Sequence, residues 1–174
     1  MPKKTTPRTP AEWFEHCRNC FHKTDGMAAV KALERVIDLD PAYCHSDGDN
    51  PYFYLGKIQE VEGRIDGAII NYSRALAINP VDEESLIGRG SCYTVTKQHE
   101  QAIEDFTKLL QCPDKKRRVP RKHLLYAIGE NYSQIEDWCK AIYWARQAHA
   151  ADPGNERHQQ LLKELTEKIK QSTE

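Results

Sequence analysis

Apolar residues recur along this 174-residue chain at spacings of three, four and seven, the period of a helix with one buried face. In a segment of about 34 residues the pattern runs through one stretch, breaks, and resumes with the same period. The best-defined segment places its apolar and small residues at Tyr52, Leu55, Gly56, Ala68, Tyr72 and Ala75. Each segment therefore predicts two helices.

The same pattern occurs four times along the chain. Its first apolar position falls at Trp13, Tyr52, Leu86 and Leu125. Successive starting points are 39, 34 and 39 residues apart, so two segments carry an extension of five residues. The sequence thus predicts four repeats, over residues 10–48, 49–82, 83–121 and 122–155.

Small residues occupy two fixed places in every repeat. Alanine stands at one of them (Ala29, Ala68, Ala102, Ala141), and glycine or cysteine at the other (Cys17, Gly56, Gly90, Gly129). Where two antiparallel helices cross, a larger side chain would push their axes beyond the usual 8 to 10 Å. The small residues therefore predict that the two helices of each repeat pack closely against each other.

The second repeat (YFYLGKIQ, then AIINYSRALAINP) and the fourth (LLYAIGENY, then AIYWARQAHAADP) resemble the tetratricopeptide repeat (TPR) family. The resemblance covers about five sixths of the chain and departs from the family pattern in the first repeat, at His16, Cys17 and Cys20. It implies an all-α, right-handed superhelical solenoid of about four TPR helix pairs, followed by a C-terminal capping helix.

The two ends of the chain differ from the repeats. Residues 1–9 are basic and proline-rich, which predicts a disordered tail. Residues 156–174 carry a narrow apolar strip formed by Leu161, Leu162, Leu165 and Ile169. We interpret them as a capping helix and tail that cover the last apolar face of the solenoid. A coiled-coil segment is the alternative.

Proteins that resemble this family bind partners in a groove lined by the first helix of each repeat. Carried over by position, the groove residues form two rows. The apolar row is Phe14, Phe53, Ile87 and Tyr126, and the mixed row, one turn further on, is Arg18, Lys57, Ser91 and Glu130. The resemblance implies a non-enzymatic protein-binding adaptor that takes a peptide or helix of another protein. The alternative for the apolar row is that it belongs to the core, with the groove filled by the tail or the last helix.

Some members of the family grip the acidic C-terminal tail of heat-shock chaperones with two lysines, two asparagines and an arginine. In this chain those places hold Phe14, Arg18, Tyr54, Glu84 and Gly88 in one window, and Phe53, Lys57, Gly88, His123 and Ala127 in the next. Too few donors converge to form charge-assisted bonds with a carboxylate. The sequence therefore disfavours chaperone-tail binding of this kind.

The formal net charge is -1, so any charge-driven partner requires a local patch. The one basic run comprises Lys115, Lys116, Arg117, Arg118, Arg121 and Lys122. It is compatible with a solvated loop, nuclear import, phosphate contact or an acidic partner. The alternative function is a scaffold or assembly factor that acts through helix faces and this loop. A nucleic-acid partner is disfavoured because no aromatic residues interleave the basic ones.

Six cysteines in a chain long enough to build a core, with no secretory signal, predict free thiols and a reducing compartment, the cytoplasm or the nucleus. The cluster His16, Cys17, Cys20, His22, Cys44 and His45 raises the alternative of a zinc-dependent protein. Cys17 and Cys20 fall at packing positions of the repeat, however, so we expect no metal and no cofactor.

Catalytic motifs are absent from the sequence: it has no glycine-rich phosphate loop, nucleophile elbow or His-Glu-x-x-His helix. The adjacent carboxylates Glu83 and Glu84, and Glu104 and Asp105, are predicted to be solvated on exposed helix faces. No apolar run approaches twenty residues, so no membrane insertion is expected. These observations favour a binding protein over an enzyme.

Overall fold

The structure, a computed structural model, describes residues 7–23, 25–112 and 119–172. All regular structure in these three ranges is α-helical, which confirms the predicted all-α helical-repeat solenoid. In chain order the helices are α1 Pro10–His22, α2 Gly26–Leu39, α3 Pro51–Val61, α4 Ile65–Ile78, α5 Glu83–Val95, α6 His99–Gln111, α7 Arg121–Gln134, α8 Trp138–Ala151 and α9 Glu156–Ser172.

Two helices lie within each predicted repeat range, except that α7 begins one residue before the predicted start at 122. Packing divides the chain into two compact units that meet within α5, one ending at Gly88 and the other beginning at Arg89. We call the residues up to Gly88 unit 1 and those from Arg89 onward unit 2.

Local sequence sets where the helices begin. At α1, the Thr9 side chain accepts a hydrogen bond from the Glu12 backbone N–H (3.2 Å), while the Glu12 carboxylate accepts one from the Thr9 N–H (3.1 Å). At α3, the Asn50 side chain accepts one from the Phe53 N–H (3.1 Å). Pro10 and Pro51 stand in the first turn, where the missing N–H costs nothing. Thr9 thus caps a helix, and residues 1–6 of the predicted disordered tail lie outside the described residues.

Helix pairs pack through the small residues that the sequence singled out. In unit 1, a Cβ atom added to Gly56 would lie 2.8 Å from the ring of Tyr72 on α4. In unit 2, the corresponding distance from Gly90 to the ring of Phe106 is 2.7 Å. Each glycine therefore makes room for an aromatic ring of the partner helix, which explains why the two residue types recur together.

The fourth repeat uses a different pair of residues at the same crossing. A Cβ atom added to Gly129 would lie 3.2 Å from the backbone nitrogen of Ala145. Because alanine replaces the aromatic residue here, the backbones of α7 and α8 approach each other directly. Beyond them, α9 packs against α8 and buries Leu161 and Leu165, as expected of a helix that covers the last pair.

The prediction that Asp105 is solvated on an exposed helix face is wrong. Asp105 is 1% exposed, and its carboxylate accepts hydrogen bonds from Nε (2.8 Å) and Nη2 (2.7 Å) of Arg89. Arg89 lies on α5 and Asp105 on α6, so the paired charges link the two helices of the third repeat. Its neighbour Glu104 is exposed, as predicted. Asp105 is buried because it stands on the inner face of α6, one position before Phe106.

The close contact at Gly56 predicts that replacing glycine with alanine lowers the stability of the protein there but raises it at Gly26, where space is open. Gly56→Ala should lower the free energy of unfolding by about 1–3 kcal/mol, because the added methyl group overlaps the buried Tyr72 ring. Gly26→Ala, in the first turn of α2 with open space around it, should raise that energy by about 0.4–1 kcal/mol. Urea denaturation followed by circular dichroism measures both, and equal effects would contradict the packing described.

The buried ion pair predicts unequal effects for adjacent carboxylates. Asp105→Ala should destabilise the protein by about 3 kcal/mol, because the guanidinium of Arg89 loses its bidentate partner in the interior. Glu104→Ala, one residue away and exposed, should change stability by less than about 0.5 kcal/mol. Urea midpoints of the two variants provide the comparison, and a small effect of Asp105→Ala would show that the pair is dispensable.

Candidate partner-binding surface

In unit 1, the first residue of the predicted apolar row is covered by its own chain. Phe14 is 0% exposed. Its ring lies 5.3 Å from that of Tyr43 and 5.7 Å from that of His45, both in the segment between α2 and α3. It also meets Tyr54 of α3 edge-on at 5.5 Å. At this position the core alternative describes the structure, with residues 43–45 as the cover.

Charged contacts hold the covering segment against α1. Arg18, a predicted groove residue, donates a hydrogen bond to the Asp47 carboxylate at 2.9 Å. His45 lies 2.6 Å from the same carboxylate. Partial burial raises the pKa of Asp47, but hydrogen bonds from His45, the Asp49 amide and Arg18 outweigh that effect and lower it to about 2. Arg18 is therefore engaged in holding residues 43–47 in place.

The second repeat presents only its charged groove residue to solvent. Phe53 is 6% exposed and packs edge-on against Tyr54, with ring centroids 5.0 Å apart. Lys57 is exposed, and its ammonium group lies 5.6 Å from the centre of the Phe53 ring. Ile87, the last groove residue of unit 1, is partly exposed on α5. Tyr54 links Phe14 and Phe53 into one aromatic cluster of the core.

In unit 2, two predicted groove residues meet at an open cleft. The hydroxyl of Tyr126 donates a hydrogen bond to the Glu130 carboxylate (2.6 Å), one turn along α7. Both residues are partly exposed and line a cleft of about 590 Å³ between α7 and α9. Ser91 is also partly exposed, but it lies on α5 and does not line this cleft. Of the eight predicted groove residues, the structure thus brings Tyr126 and Glu130 into a common cavity.

The environment of Tyr126 is aromatic on one side and acidic on the other. Its ring stacks on that of His158 with centroids 5.2 Å apart. Burial raises the pKa of Tyr126, and the hydrogen bond to Glu130 and the charge of that carboxylate raise it further. The phenol therefore stays protonated and continues to donate to Glu130 throughout the physiological pH range.

Sequence reasoning did not identify the half of the cleft that α9 supplies. That half comprises Glu156, Arg157, Gln160, Leu161 and Glu164. A signal was present, because His158, Leu161 and Leu165 stand three and four residues apart and continue one buried stripe. His158 occupies an apolar position of this stripe, and its ring contacts Tyr126 of α7.

The basic run lies largely outside the part of the chain that is described. Lys115, Lys116, Arg117 and Arg118 fall in residues 113–118, which the structure does not describe. Arg121 is exposed in the first turn of α7. Lys122 forms an ion pair with Asp152 (Nζ to Oδ2, 2.9 Å), which ties the start of α7 to the end of α8. Lys122 therefore has a structural partner within unit 2.

The cysteine and histidine residues of the first repeat are dispersed. Cys17 and Cys20 are buried in the core, as their repeat positions predict, whereas Cys44 is exposed. Burial raises the pKa of Cys17 to about 12, so its thiol stays protonated. The side chain of His22 lies outside the described part. Over the described ranges, no three or more histidine, cysteine, aspartate or glutamate residues are grouped so as to hold a metal ion. Nor does any helix there combine the length and apolarity that crossing a bilayer requires.

No protein-family model matches the chain. A 93-residue segment is 36% identical to the protein CTR9 homolog of Arabidopsis thaliana and covers 53% of this chain and 8% of that protein. A 76-residue segment is 36% identical to tetratricopeptide repeat protein 14 of Mus musculus, covering 43% and 10%. The chain thus spans a tenth or less of the length of these relatives.

Solved structures show the same architecture. A tetratricopeptide repeat protein from Parabacteroides merdae superposes with a TM-score of 0.73 at 22% identity, covering 94% of this chain and 62% of that one. The first TPR domain of Spaghetti, bound to an HSP90 peptide, gives a TM-score of 0.59 at 15% identity. The match covers 68% of this chain and 90% of that one. At these identities the likeness concerns the fold.

The depressed pKa of Asp47 predicts how acid affects unit 1. Asp47 stabilises the fold fully above its unfolded pKa of about 3.9, and this contribution is lost as the pH falls towards its folded pKa of about 2. Asp47→Asn should therefore lower the urea midpoint at about pH 5 and do so progressively less towards about pH 3. Asp38→Asn, which breaks an exposed pair with Arg35, serves as the control and should have little effect at either pH. A constant deficit for Asp47→Asn across this range would contradict the assignment.

Proposed function

Since the chain has the fold of tetratricopeptide repeat proteins, we propose that it is a non-enzymatic adaptor that binds a peptide or helix of a partner protein. The proposal is supported most directly by the open cleft between α7 and α9, where Tyr126 and Glu130 stand at predicted groove positions. Aromatic residues in partly desolvated pockets are typical anchors of protein interfaces. A TPR neighbour that binds a peptide makes this class of ligand a reasonable expectation.

The proposed contact residues differ in what they can offer a partner. Tyr126, Glu130, Lys57, Ile87 and Ser91 retain accessible surface. Phe14 and Phe53 contribute by holding the aromatic core of unit 1, because they are buried and a partner could not reach them without displacing their neighbours. We therefore place the principal anchor at Tyr126 and assign the anchoring role to unit 2.

Affinity capture tests this proposal with one substitution and a matched control. Tyr126→Ala should reduce capture of the partner by about tenfold or more, because truncating a hot-spot anchor costs about 2 kcal/mol or more. Tyr143→Ala removes a tyrosine that is 56% exposed on α8 and outside the cleft, so capture should be retained. Partners are identified by mass spectrometry from a lysate of the organism that encodes the chain, and circular dichroism checks that both variants fold.

The same assay distinguishes the scaffold alternative. Capture that survives Tyr126→Ala but is lost when Lys115, Lys116, Arg117 and Arg118 are changed to glutamine would place the contact in the basic run. Such a contact should also weaken steeply with added salt. Capture that depends on the basic run and survives Tyr126→Ala would contradict an anchor at Tyr126.

A further inference from the structure

The cleft between α7 and α9 has a marked excess of negative charge. Three carboxylates line it, Glu130 from α7 and Glu156 and Glu164 from α9, against the single guanidinium of Arg157. Within the described ranges, no ion pair joins Arg157 to any of the three. Glu130 instead accepts the Tyr126 hydroxyl (2.6 Å), and Glu164 accepts the Gln160 side-chain amide (2.6 Å). The lining therefore carries a net charge of -2.

A second, independent observation is an unsatisfied polar atom beside this cleft. His158 is 2% exposed, and its Nδ1 atom has no hydrogen-bond partner. The His158 ring lines an adjoining cleft of about 430 Å³ that shares Tyr126, Glu156 and Arg157 with the first. A buried polar atom without a partner is costly, and such atoms are rare in native proteins. A peptide main chain entering the cleft would bring both donors and acceptors to this end of α9.

The shape and chemistry of the lining favour arginine over other side chains. Tyr126 supplies an aromatic ring, and Glu130, Arg157 and Glu164 all lie close enough to act on the charge of its hydroxyl. A guanidinium is planar, stacks on aromatic rings and pairs with carboxylates through two hydrogen bonds. An acidic segment would face like charge, and the sequence lacks the converging donors that a carboxylate would need.

We propose that the cleft between α7 and α9 binds an arginine-containing segment of a partner protein, with the guanidinium held between Glu130 and Glu164 beside Tyr126. The inference rests on the proposed adaptor function and adds to it the chemistry of the partner. Leu161, which lines the same cleft, offers an apolar contact for a neighbouring aliphatic side chain.

Nuclear magnetic resonance titration with synthetic peptides tests the proposal. The probe is a ten-residue peptide with one arginine between two leucines in a glycine–serine background, compared with glutamine and glutamate versions. The arginine peptide should shift the amide signals of Tyr126, Glu130, Gln160 and Glu164 and the Nδ1 signal of His158. It should bind at least about tenfold more tightly than the glutamate peptide, which meets like charge.

Charge-matched variants localise the effect. Glu130→Gln combined with Glu164→Gln should weaken arginine-peptide binding by about tenfold, because both carboxylate partners are lost. The glutamine at 130 still offers Tyr126 an acceptor, so the fold should persist. Glu100→Gln combined with Glu104→Gln removes the same charge from the exposed face of α6 and should leave binding unchanged.

Four outcomes would overturn the inference. Equal or tighter binding of the glutamate peptide at the cleft would refute the choice of arginine while supporting the adaptor function. Arginine-peptide shifts confined to other surfaces, or equal losses in both pairs of variants, would refute the site. Absence of shifts with every peptide would also refute it, whereas the adaptor function is decided separately by partner capture with Tyr126→Ala.

Discussion

The close approach of two helices at a single small residue is the constraint on which the rest of this structure depends. Gly56 and Gly90 each receive an aromatic ring from the partner helix, and Gly129 receives backbone. Because the contact fixes which faces of two helices meet, it also fixes which faces remain for neighbouring pairs and for solvent. The sequence pattern repeats about every 34 residues because each helix pair needs a small residue at this crossing.

The sequence was sufficient for the features that depend on this contact. The all-α helical-repeat fold follows from the spacing of small and apolar residues, and Cys17 is buried at the packing position that this spacing assigns to it. Contacts between residues distant in sequence were not predictable in this way. The cover over Phe14 comes from a segment about 30 residues away, and spacing within a helix carries no information about how a connecting segment folds back.

The partners of buried polar residues were likewise not predictable from the sequence. Asp105 occupies an inner position of α6, where a pattern of apolar residues gives no reason to expect a carboxylate, and its partner Arg89 lies on another helix. His158 continues the buried stripe of α9, so its position was predictable but its stacking on Tyr126 was not. In both cases the partner lies on another helix, so only the tertiary structure identifies it.

The ring of Tyr72 belongs to two helix pairs at once. It fills the space beside Gly56 on α3, and it also contacts Gly88, in the part of α5 that packs with unit 1. The boundary between the two packed units consequently falls inside the third repeat and not at its beginning. A fragment cut at residue 82 to isolate the first two repeats would leave a large aromatic surface bare, so whole-repeat truncation is a poor way to obtain a stable piece of this protein.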